Sequence, residues 1–252
     1  MPRFFIESGN IRSDGNGVRY AALEGEDAHH AGRVLRLKPG EAVTLCDENS
    51  WEYDSVVESV GDEVILKITD SRAGEREPPY RAAVYQALAK GDRFDTVIQK
   101  AVETGAAEIV PVVSARCTVK LEARDIPKKV ARWQRIAYEA AKQCGRGTVP
   151  QVRQPLPFAD AVREASLASA ALFCYEGDGT VPIPEILGQA GRPETVSVFI
   201  GPEGGFDDRE AEFARSSGMK MCGLGKRILR TETAAQFALT CISYQFELQA
   251  NK

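Results

Sequence analysis

The sequence predicts an α/β protein with a small β-rich part at the start and a larger part built on a mostly parallel sheet. Three observations predict this. Short β-branched segments separated by turn residues fill most of the first seventy residues. A charged segment containing Gly and Pro, 71–80, then interrupts the pattern. After it, apolar segments of strand length alternate with helical patterns, which is typical of a mostly parallel sheet.

The first part has the close strand spacing of a small barrel or sandwich. Its strands are predicted at 42–47, 51–59 and 63–70. We place a domain boundary in the segment 71–80, because Gly, Pro and charged residues are typical of linkers. The predicted domains are therefore residues 1–73 and 74–252.

The second part alternates strands and helices along the chain. Strands are predicted at 82–88, 108–113, 171–175, 196–200 and 219–224. Helices are predicted at 94–105, 127–144, 207–217 and 231–248. The first of these helices carries Phe94, Val97 and Ile98 on one face and stops at Gly105. Ligands of open α/β sheets bind beyond the carboxyl ends of strands, so functional loops are expected there.

Composition argues against several classes of protein. Of 252 residues, 43% are hydrophobic and 27% charged, which is ordinary for a globular protein. No apolar run approaches the ~20 residues that cross a bilayer, and the start lacks the features of a signal peptide. We therefore expect a cytoplasmic protein with no membrane partner. The six cysteines form no Cys-x-x-Cys pair and are expected to be reduced, and no metal site is expected around the adjacent His29 and His30.

Charge is distributed unevenly along the chain. The net charge is −4, but residues 80–153 carry 14 Lys and Arg against 7 Asp and Glu, whereas residues 1–73 carry 8 against 14. Within the acidic first part, the strip 30–38 is locally basic. Such regions indicate surfaces that bind phosphates, although a solvated helix face stays an equal alternative on charge alone.

The loop 201–205, between the strand at 196–200 and the next helix, contains three glycines. A phosphate-binding loop is disfavoured here, because Pro202 removes an N–H donor and Glu203 places a negative charge in the loop. A negative, glycine-lined pocket favours a neutral or cationic ligand such as S-adenosylmethionine. The alternative is a tight turn with a capping acidic residue.

A second loop, 223–230, brings three cations together before the last predicted helix: Lys226, Arg227 and Arg230. Cations are unfavourable at a helix N-terminus, so an anionic partner explains them better than stability does. The helix is predicted to be capped near Thr231 or Thr233. Ile228 and Leu229 are apolar and suit the lining of an adenine pocket. A solvated basic turn remains the alternative.

The two loops also carry a resemblance. FIGPEGGF (199–206) and LGKRILRTETA (224–234) resemble the signature of the SPOUT RNA methyltransferases, and most closely the bacterial 16S ribosomal RNA uracil-N3-methyltransferases. MPRFF at the start and the segments 29–41, 90–112 and 137–146 resemble the same family in the same order. The resemblance therefore covers nearly the whole chain.

The resemblance implies an N-terminal PUA-like β-barrel that binds RNA, over residues 1–73, and a SPOUT methyltransferase domain with a deep trefoil knot, over 74–252. It also implies S-adenosylmethionine as cofactor, ribosomal RNA of the small subunit as substrate, and a homodimer. By motif match, the cofactor pocket falls on Tyr175, Glu176, Ile200, Gly201, Glu203, Gly204, Leu224, Gly225, Ile228, Leu229 and Arg230.

The implied reaction methylates N3 of a uracil, which must first lose a proton. We expect the guanidinium of Arg230 to stabilise the negative charge that develops on the ring. Glu203 is a candidate for the general base, or it faces the cationic cofactor. The target base must be single-stranded or flipped out, because pairing hides N3. The residues expected to contact RNA are His30, Arg33, Arg36, Lys90, Arg93, Gln143 and Arg146.

Three other functions remain open at this stage. A related knotted methyltransferase could act on another RNA position, such as a ribose 2′-hydroxyl, but the full-length resemblance disfavours it. An RNA-binding or assembly protein without catalysis is disfavoured because both glycine-containing loops are intact. A nucleotide-dependent metabolic enzyme is disfavoured because phosphate-binding motifs are missing.

Overall fold

The structure is a computed structural model and describes residues 1–249. The chain forms two compact units, residues 1–77 with 141–149 and residues 78–140 with the rest of the chain from 150. The predicted domain division at 73/74 stays a prediction, and the last three residues of its second domain, 250–252, lie outside the described part. None of the helices within residues 1–249 is long and apolar enough to cross a bilayer.

The first unit is built on a six-stranded sheet. Its strands are β1 (Arg3–Phe5), β2 (Arg12–Ser13), β3 (Arg19–Leu23), β4 (Ala42–Cys46), β5 (Trp51–Val60) and β6 (Val64–Ala73), in the order β1-β4-β5-β6-β3-β2. Only β1 and β4 run parallel, and the other neighbours are antiparallel. The three strands predicted from sequence correspond to β4, β5 and β6. The first three strands were missed because they are short and carry little alternation.

A helical segment follows β3 and carries the basic strip. It consists of helix α1 (Gly25–His29), which continues into a π-helical turn (His30–Val34). Ala28 and Ala31 are buried in the core of the first unit, together with Phe4 and Leu66. The charged side chains of the strip, Arg33, Arg36 and Lys38, are exposed.

The segment 141–149 belongs to the first unit because ion pairs hold it there. The guanidinium of Arg146, which is 5% exposed, pairs with the carboxylate of Glu77. The backbone N–H groups of Gly147 and Thr148 donate to the same carboxylate at 2.9 and 3.2 Å. Two guanidinium N–H groups and two backbone N–H groups thus donate to the Glu77 carboxylate, which stabilises its charge in a half-buried position.

The second unit is built on an all-parallel sheet. Its strands are β7 (Arg81–Ala87), β8 (Ala106–Val113), β9 (Gln151–Val152), β10 (Leu156–Pro157), β11 (Ala170–Cys174), β12 (Val181–Pro182), β13 (Thr195–Ile200) and β14 (Lys220–Gly223). Their order is β10-β8-β7-β13-β11-β14-β12, with β9 beside β8. The helices are α2 (Arg93–Glu103), α3 (Ile126–Cys144), α4 (Phe158–Ala165), α5 (Ile183–Gln189), α6 (Asp208–Ser216) and α7 (Thr231–Ser243), which ends in a π-helical turn (Tyr244–Leu248).

The long, strongly patterned elements agree with the sequence prediction. In β13, every residue except Thr195 is buried, as expected for a central parallel strand. The face of α2 formed by Phe94, Val97 and Ile98 is buried as predicted. The short helices α4 and α5 were missed, since eight and seven residues give too few turns for a clear period.

The order of the strands decides where the loops meet. Strand β13 comes after β8 and β11 in the chain, yet it lies between β7 and β11. The carboxyl ends of β7, β13, β11 and β14 therefore share one edge of the sheet. The trefoil knot itself stays a prediction.

Candidate active site

A cavity of about 600 Å³ opens at the carboxyl edge of the parallel sheet. It is formed by the residues that follow β11, β13 and β14 and by the first turn of α7. Ten of the eleven residues predicted to bind the cofactor line it: Tyr175, Glu176, Ile200, Gly201, Glu203, Leu224, Gly225, Ile228, Leu229 and Arg230. The acidic loop after β13 and the cationic loop after β14 thus enclose one space.

Thr231 joins the two loops directly. Its hydroxyl donates to the carbonyl of Gly201 at 2.6 Å and accepts a 2.8 Å hydrogen bond from the side-chain amide of Gln86. The predicted cap at Thr231 or Thr233 is wrong, because the N-cap residue of α7 is Arg230 and no side chain caps it. The Thr231 hydroxyl is instead used to fix the loop after β13 against the start of α7.

The loop after β13 is held down by an aromatic core beneath it. Phe206 is 2% exposed, and its ring centroid lies 4.4 Å from that of Phe173 in β11. Phe158 and Phe199 pack on the same rings. The loop therefore packs on a close-packed aromatic cluster, which positions its backbone for close contact with a ligand.

Gly205 is the position in this loop where glycine is required. Its φ is +65°, and a Cβ added there would lie 2.1 Å from a carboxylate oxygen of Glu176. The missing side chain lets the end of β11 and the loop after β13 approach each other. Gly204, the eleventh predicted residue, stands slightly apart: its carbonyl accepts a 2.9 Å hydrogen bond from the guanidinium of Arg116.

Acidic residues at the start of α6 form a cap. The carboxylate of Asp207 accepts the backbone N–H of Glu210 at 2.7 Å, and the Glu210 carboxylate accepts that of Asp207 at 3.2 Å. This capping box satisfies two backbone N–H groups at the helix N-terminus. The capping alternative considered for the loop therefore describes Asp207, but it does not explain Glu203.

Glu203 is tied to the loop that precedes α2. Its carboxylate accepts the backbone N–H of Lys90 at 3.0 Å and pairs with the guanidinium of Arg93 at 2.5 Å. Burial pushes the pKa of Glu203 upward, but the hydrogen bonds from Lys90 and Arg93 outweigh it, so the pKa lies below its ordinary value. A carboxylate with a lowered pKa is a weak base, so this position favours a structural tether.

The cations after β14 stand at the rim of the cavity. The side chains of Lys226, Arg227 and Arg230 are exposed and make no hydrogen bond or ion pair to any residue within 1–249. Ile228 beside them is 84% exposed, whereas Leu229 is half-buried. Unpaired cations and an exposed apolar side chain at one rim suit a partner that is both anionic and flat, as a nucleotide is.

Two carboxylates of the cavity have no protein partner in the described part of the chain. They belong to Glu176, just after β11, and to Glu232, in the first turn of α7. One oxygen of Glu232 is buried and accepts no hydrogen bond. The thiol of Cys174 also lines the cavity; its hydrogen bond with Cys222 and its burial raise its pKa well above the ordinary value, so it remains a neutral thiol.

The site residues that were missed from sequence include Gln86, Thr180, Thr231 as a loop contact, and Glu232. Gln86 gave a signal, since it is a polar residue near the carboxyl end of an otherwise apolar strand, and it is fully buried. Glu232 lies within the motif that carries the resemblance. An acidic residue in a first helical turn is common because it stabilises the helix dipole, so its sequence position did not indicate a functional role. Thr180 gave no signal.

The residues expected to contact RNA fall into both units. In the first unit, the side chains of Arg33, Arg36 and Gln143 are exposed, and in the second unit that of Lys90 is exposed. His30 is half-buried and its ring packs against that of Phe4. Arg93 is half-buried and paired with Glu203. Arg146 is almost fully buried and paired with Glu77, so it holds the first unit together, and we do not carry it forward as an RNA contact.

Within residues 1–249, no three His, Cys, Asp or Glu side chains cluster as metal ligands do.

Comparison with known proteins places the chain in a family. Residues 76–243 match the RNA methyltransferase domain family, and residues 23–69 match the RNA methyltransferase PUA domain family. The ribosomal RNA small subunit methyltransferase E of Bacillus subtilis is 33% identical over 253 aligned residues, which cover 98% of each chain.

Two solved structures are similar over almost the whole chain. One is the ribosomal RNA small subunit methyltransferase E of Neisseria gonorrhoeae bound to S-adenosyl methionine, with a TM-score of 0.85, 30% identity and 98% of each chain covered. The other is a methyltransferase of Legionella pneumophila in complex with the same cofactor, with a TM-score of 0.86, 32% identity and 96% of this chain and 97% of that chain covered. The chain therefore belongs to the ribosomal RNA small subunit methyltransferase E family, with a PUA domain followed by an RNA methyltransferase domain.

Proposed function

We propose that this protein transfers a methyl group from S-adenosylmethionine to N3 of a uridine in the 16S ribosomal RNA of the small subunit. The observation that carries the proposal is the shared cavity of about 600 Å³, with unpaired carboxylates on its wall and unpaired cations on its rim. In this proposal the Glu176 carboxylate faces the cationic cofactor and the cations face the RNA. The reaction takes place in the cytoplasm.

The residues present suit the proposed cofactor. A volume of about 600 Å³ is within the range of small-molecule sites. Ile200, Leu224 and Leu229 supply an apolar surface for an adenine ring, and the Glu176 carboxylate, which has no partner within residues 1–249, suits a cationic group. When bound, S-adenosylmethionine supplies a methyl group activated by its sulfonium.

Arg230 supplies the main electrostatic contribution. As N3 of uracil loses its proton, negative charge spreads to O2 and O4 of the ring. A guanidinium at the rim, with no partner in the described structure, is available to donate to one of those oxygens. The tether between Glu203 and Arg93 fixes the loop after β13, which lines the same cavity.

RNA binding is divided between the two proposed domains. The domain 1–73 binds the RNA backbone through the exposed Arg33 and Arg36, with His30 beside them, and the domain 74–252 adds Lys90. Gln143, also exposed, contributes a neutral contact. Phosphate contacts give affinity without reading the sequence, so the uracil is recognised in the cavity itself. The base enters from a single-stranded or flipped-out position.

The protein acts as a homodimer in this proposal. Phe237, Tyr244 and Leu248 are 38%, 54% and 66% exposed. Their spacing of seven and four residues places them on one face of α7 and its final turn. An apolar stripe of this kind on the surface suits a self-complementary contact with a second copy.

Two measurements test the proposal. Titration calorimetry should detect binding of S-adenosylmethionine to the purified protein at ligand concentrations up to the millimolar range. Mass spectrometry of nucleosides from 16S ribosomal RNA should find N3-methyluridine in wild-type cells and not in a deletion strain. Loss of a ribose-methylated nucleoside instead would assign the enzyme to 2′-hydroxyl chemistry, and an unchanged RNA with no cofactor binding would leave only an RNA-binding role.

A further inference from the structure

One buried carboxylate oxygen of a residue that lines the cavity has no hydrogen-bond partner in the described part of the protein. It is Oε2 of Glu232, which is shielded from solvent and accepts no hydrogen bond. Within residues 1–249, the Glu232 side chain makes no ion pair or hydrogen bond at all, although it lines the cavity. Burial of an unsatisfied carboxylate oxygen is costly, so its presence calls for a ligand group that donates to it.

The other carboxylates near the cavity are occupied or placed elsewhere. Glu203 accepts from Lys90 and Arg93. Asp208 accepts from the hydroxyl of Tyr175 at 3.3 Å. Glu176 lies against the backbone of Gly205, in the part of the cavity between the end of β11 and the loop after β13. Glu232 alone among these shares a helical turn with the rim cation Arg230.

This neighbourhood matches the edge of uracil. N3–H is a donor that lies between two acceptors, O2 and O4. A carboxylate and a guanidinium that line one cavity supply the complementary groups, since the carboxylate accepts from N3–H and the guanidinium donates to a flanking oxygen. Cytosine, with an acceptor at N3 and an amino group at C4, would place an acceptor against the carboxylate.

We propose that Glu232 is a catalytic residue that accepts the N3 proton of the target uracil, an inference that rests on the proposed function. The proton moves from N3 to a carboxylate oxygen of Glu232, and the N3 electron pair forms a bond to the methyl carbon. The bond between that carbon and sulfur breaks, and its electron pair stays on sulfur, which becomes a neutral thioether. The proton leaves Glu232 to solvent when the products leave.

Glu232→Gln tests the assignment, because it keeps the shape of the side chain and removes the proton acceptor. The expected result is a fall in kcat of about 10²–10⁴-fold, the usual contribution of a general base. The Kd for S-adenosylmethionine, measured by calorimetry, should change less than about twofold. This unchanged binding also establishes that the variant is folded.

The pH profile and an altered substrate give readouts that a structural role would not move. In the wild type, the single-turnover rate should rise less steeply with pH than in Glu232→Gln, because Glu232 takes the N3 proton. In Glu232→Gln it should keep rising with pH, since the uracil must then ionise without help. RNA transcribed with 5-fluorouridine, whose N3–H is more acidic, should restore much of the lost rate. Glu232→Asp should be slower than wild type but keep the wild-type shape of the profile.

Glu176→Gln is the matched control within the same cavity. It should weaken cofactor binding and leave the shape of the pH profile unchanged. The inference is overturned if Glu232→Gln retains wild-type kcat, or if its only defect is a raised Kd for S-adenosylmethionine. It is distinguished from failure of the proposed function by the wild-type protein, which in that case would show no cofactor binding or no N3 methylation.

Discussion

The hydroxyl of Thr231 donates a 2.6 Å hydrogen bond to the carbonyl of Gly201, across thirty residues of chain. The same hydroxyl accepts from Gln86 at 2.8 Å, so one side chain links the ends of β7 and β13 to the start of α7. The loop after β13 is therefore joined to the start of α7, directly after the cationic loop, through the buried hydroxyl of Thr231.

Thr231→Val should destabilise the protein and weaken the cofactor site. The substitution keeps the shape but removes both hydrogen bonds of the Thr231 hydroxyl. The Gly201 carbonyl then keeps only a 3.5 Å contact with the Gln86 amide, and loss of the buried donor costs about 1–3 kcal/mol. Urea unfolding should show this decrease in the free energy of unfolding. Calorimetry should show a raised Kd for S-adenosylmethionine. Thr240→Val is the control, because the Thr240 hydroxyl is exposed and bonds only to Gln236 in its own helix. Equal effects of both variants would contradict the linking role.

Gly205→Ala should abolish most cofactor binding. An alanine there would combine an unfavourable positive φ with a Cβ only 2.1 Å from the Glu176 carboxylate, so the Glu176 side chain must leave its position in the cavity. We expect the Kd for S-adenosylmethionine to rise more than about tenfold, equivalent to about 1.4 kcal/mol.

Gly218→Ala separates backbone strain from the clash. Gly218 also has a positive φ, +91°, but a Cβ there would meet nothing within 4 Å. It should lose about 1–3 kcal/mol of stability and bind the cofactor normally. If it weakens cofactor binding as much as Gly205→Ala does, the close approach of Glu176 is not the cause.

Arg230→Ala should reduce turnover much more than cofactor affinity. Removal of one donor to the developing ring charge should lower kcat by about 10²–10³-fold. Single-turnover kinetics and calorimetry separate the two quantities. Arg163→Ala, which removes an exposed arginine paired with Asp160 on α4, should change neither. Equal losses of rate and affinity in Arg230→Ala would instead identify Arg230 as a cofactor contact.

Glu77 should make stability depend on pH in the acidic range. Burial raises the pKa of Glu77. The Arg146 guanidinium and the N–H groups of Gly147 and Thr148 lower it by more than burial raises it, so the pKa in the folded protein lies below its ordinary value. The folded state therefore favours the ionised form. Its contribution is fully present above the ordinary carboxyl pKa and is lost as the pH falls through the folded-state pKa.

Glu77→Gln should cost about 3 kcal/mol at neutral pH, because the buried Arg146 loses the carboxylate charge of this pair. Thermal unfolding across the acidic range should show the difference from wild type shrinking as the pH falls. Glu212→Gln is the control, since its pair with Arg215 is largely exposed and should contribute little at any pH. A constant difference at all pH values would exclude ionisation of Glu77 as its origin.

The apolar stripe on α7 should control the oligomeric state. Phe237→Glu combined with Tyr244→Glu places two charges on the proposed interface, and sedimentation should then give a single chain of 27.5 kDa where the wild type gives twice that mass. Leu167→Glu adds a charge at an apolar residue that is 84% exposed and lies outside α7. It should leave the dimer intact, and a monomeric wild type would refute the prediction.

The regular elements were predictable because their signals are local. The apolar strand β13, the one-sided helix α2 and the turn residues around them express periods of two or 3.6 residues that neighbouring positions alone determine. The short elements in the first unit and the helices α4 and α5 have too few residues for such a period, and only packing stabilises them.

The composition of the site was also visible in the sequence, as two loops of opposite charge that follow predicted strands. The sequence alone determined that a glycine-containing acidic loop and a cationic loop exist, and that a helix follows each of them. Tertiary structure decided that they enclose one cavity, since β13 lies between β7 and β11 only through long-range strand pairing. It also tied Glu203 to Arg93 and left an oxygen of Glu232 buried without a partner, because hydrogen-bond partners distant in the chain are set by the folded backbone and not by neighbouring residues.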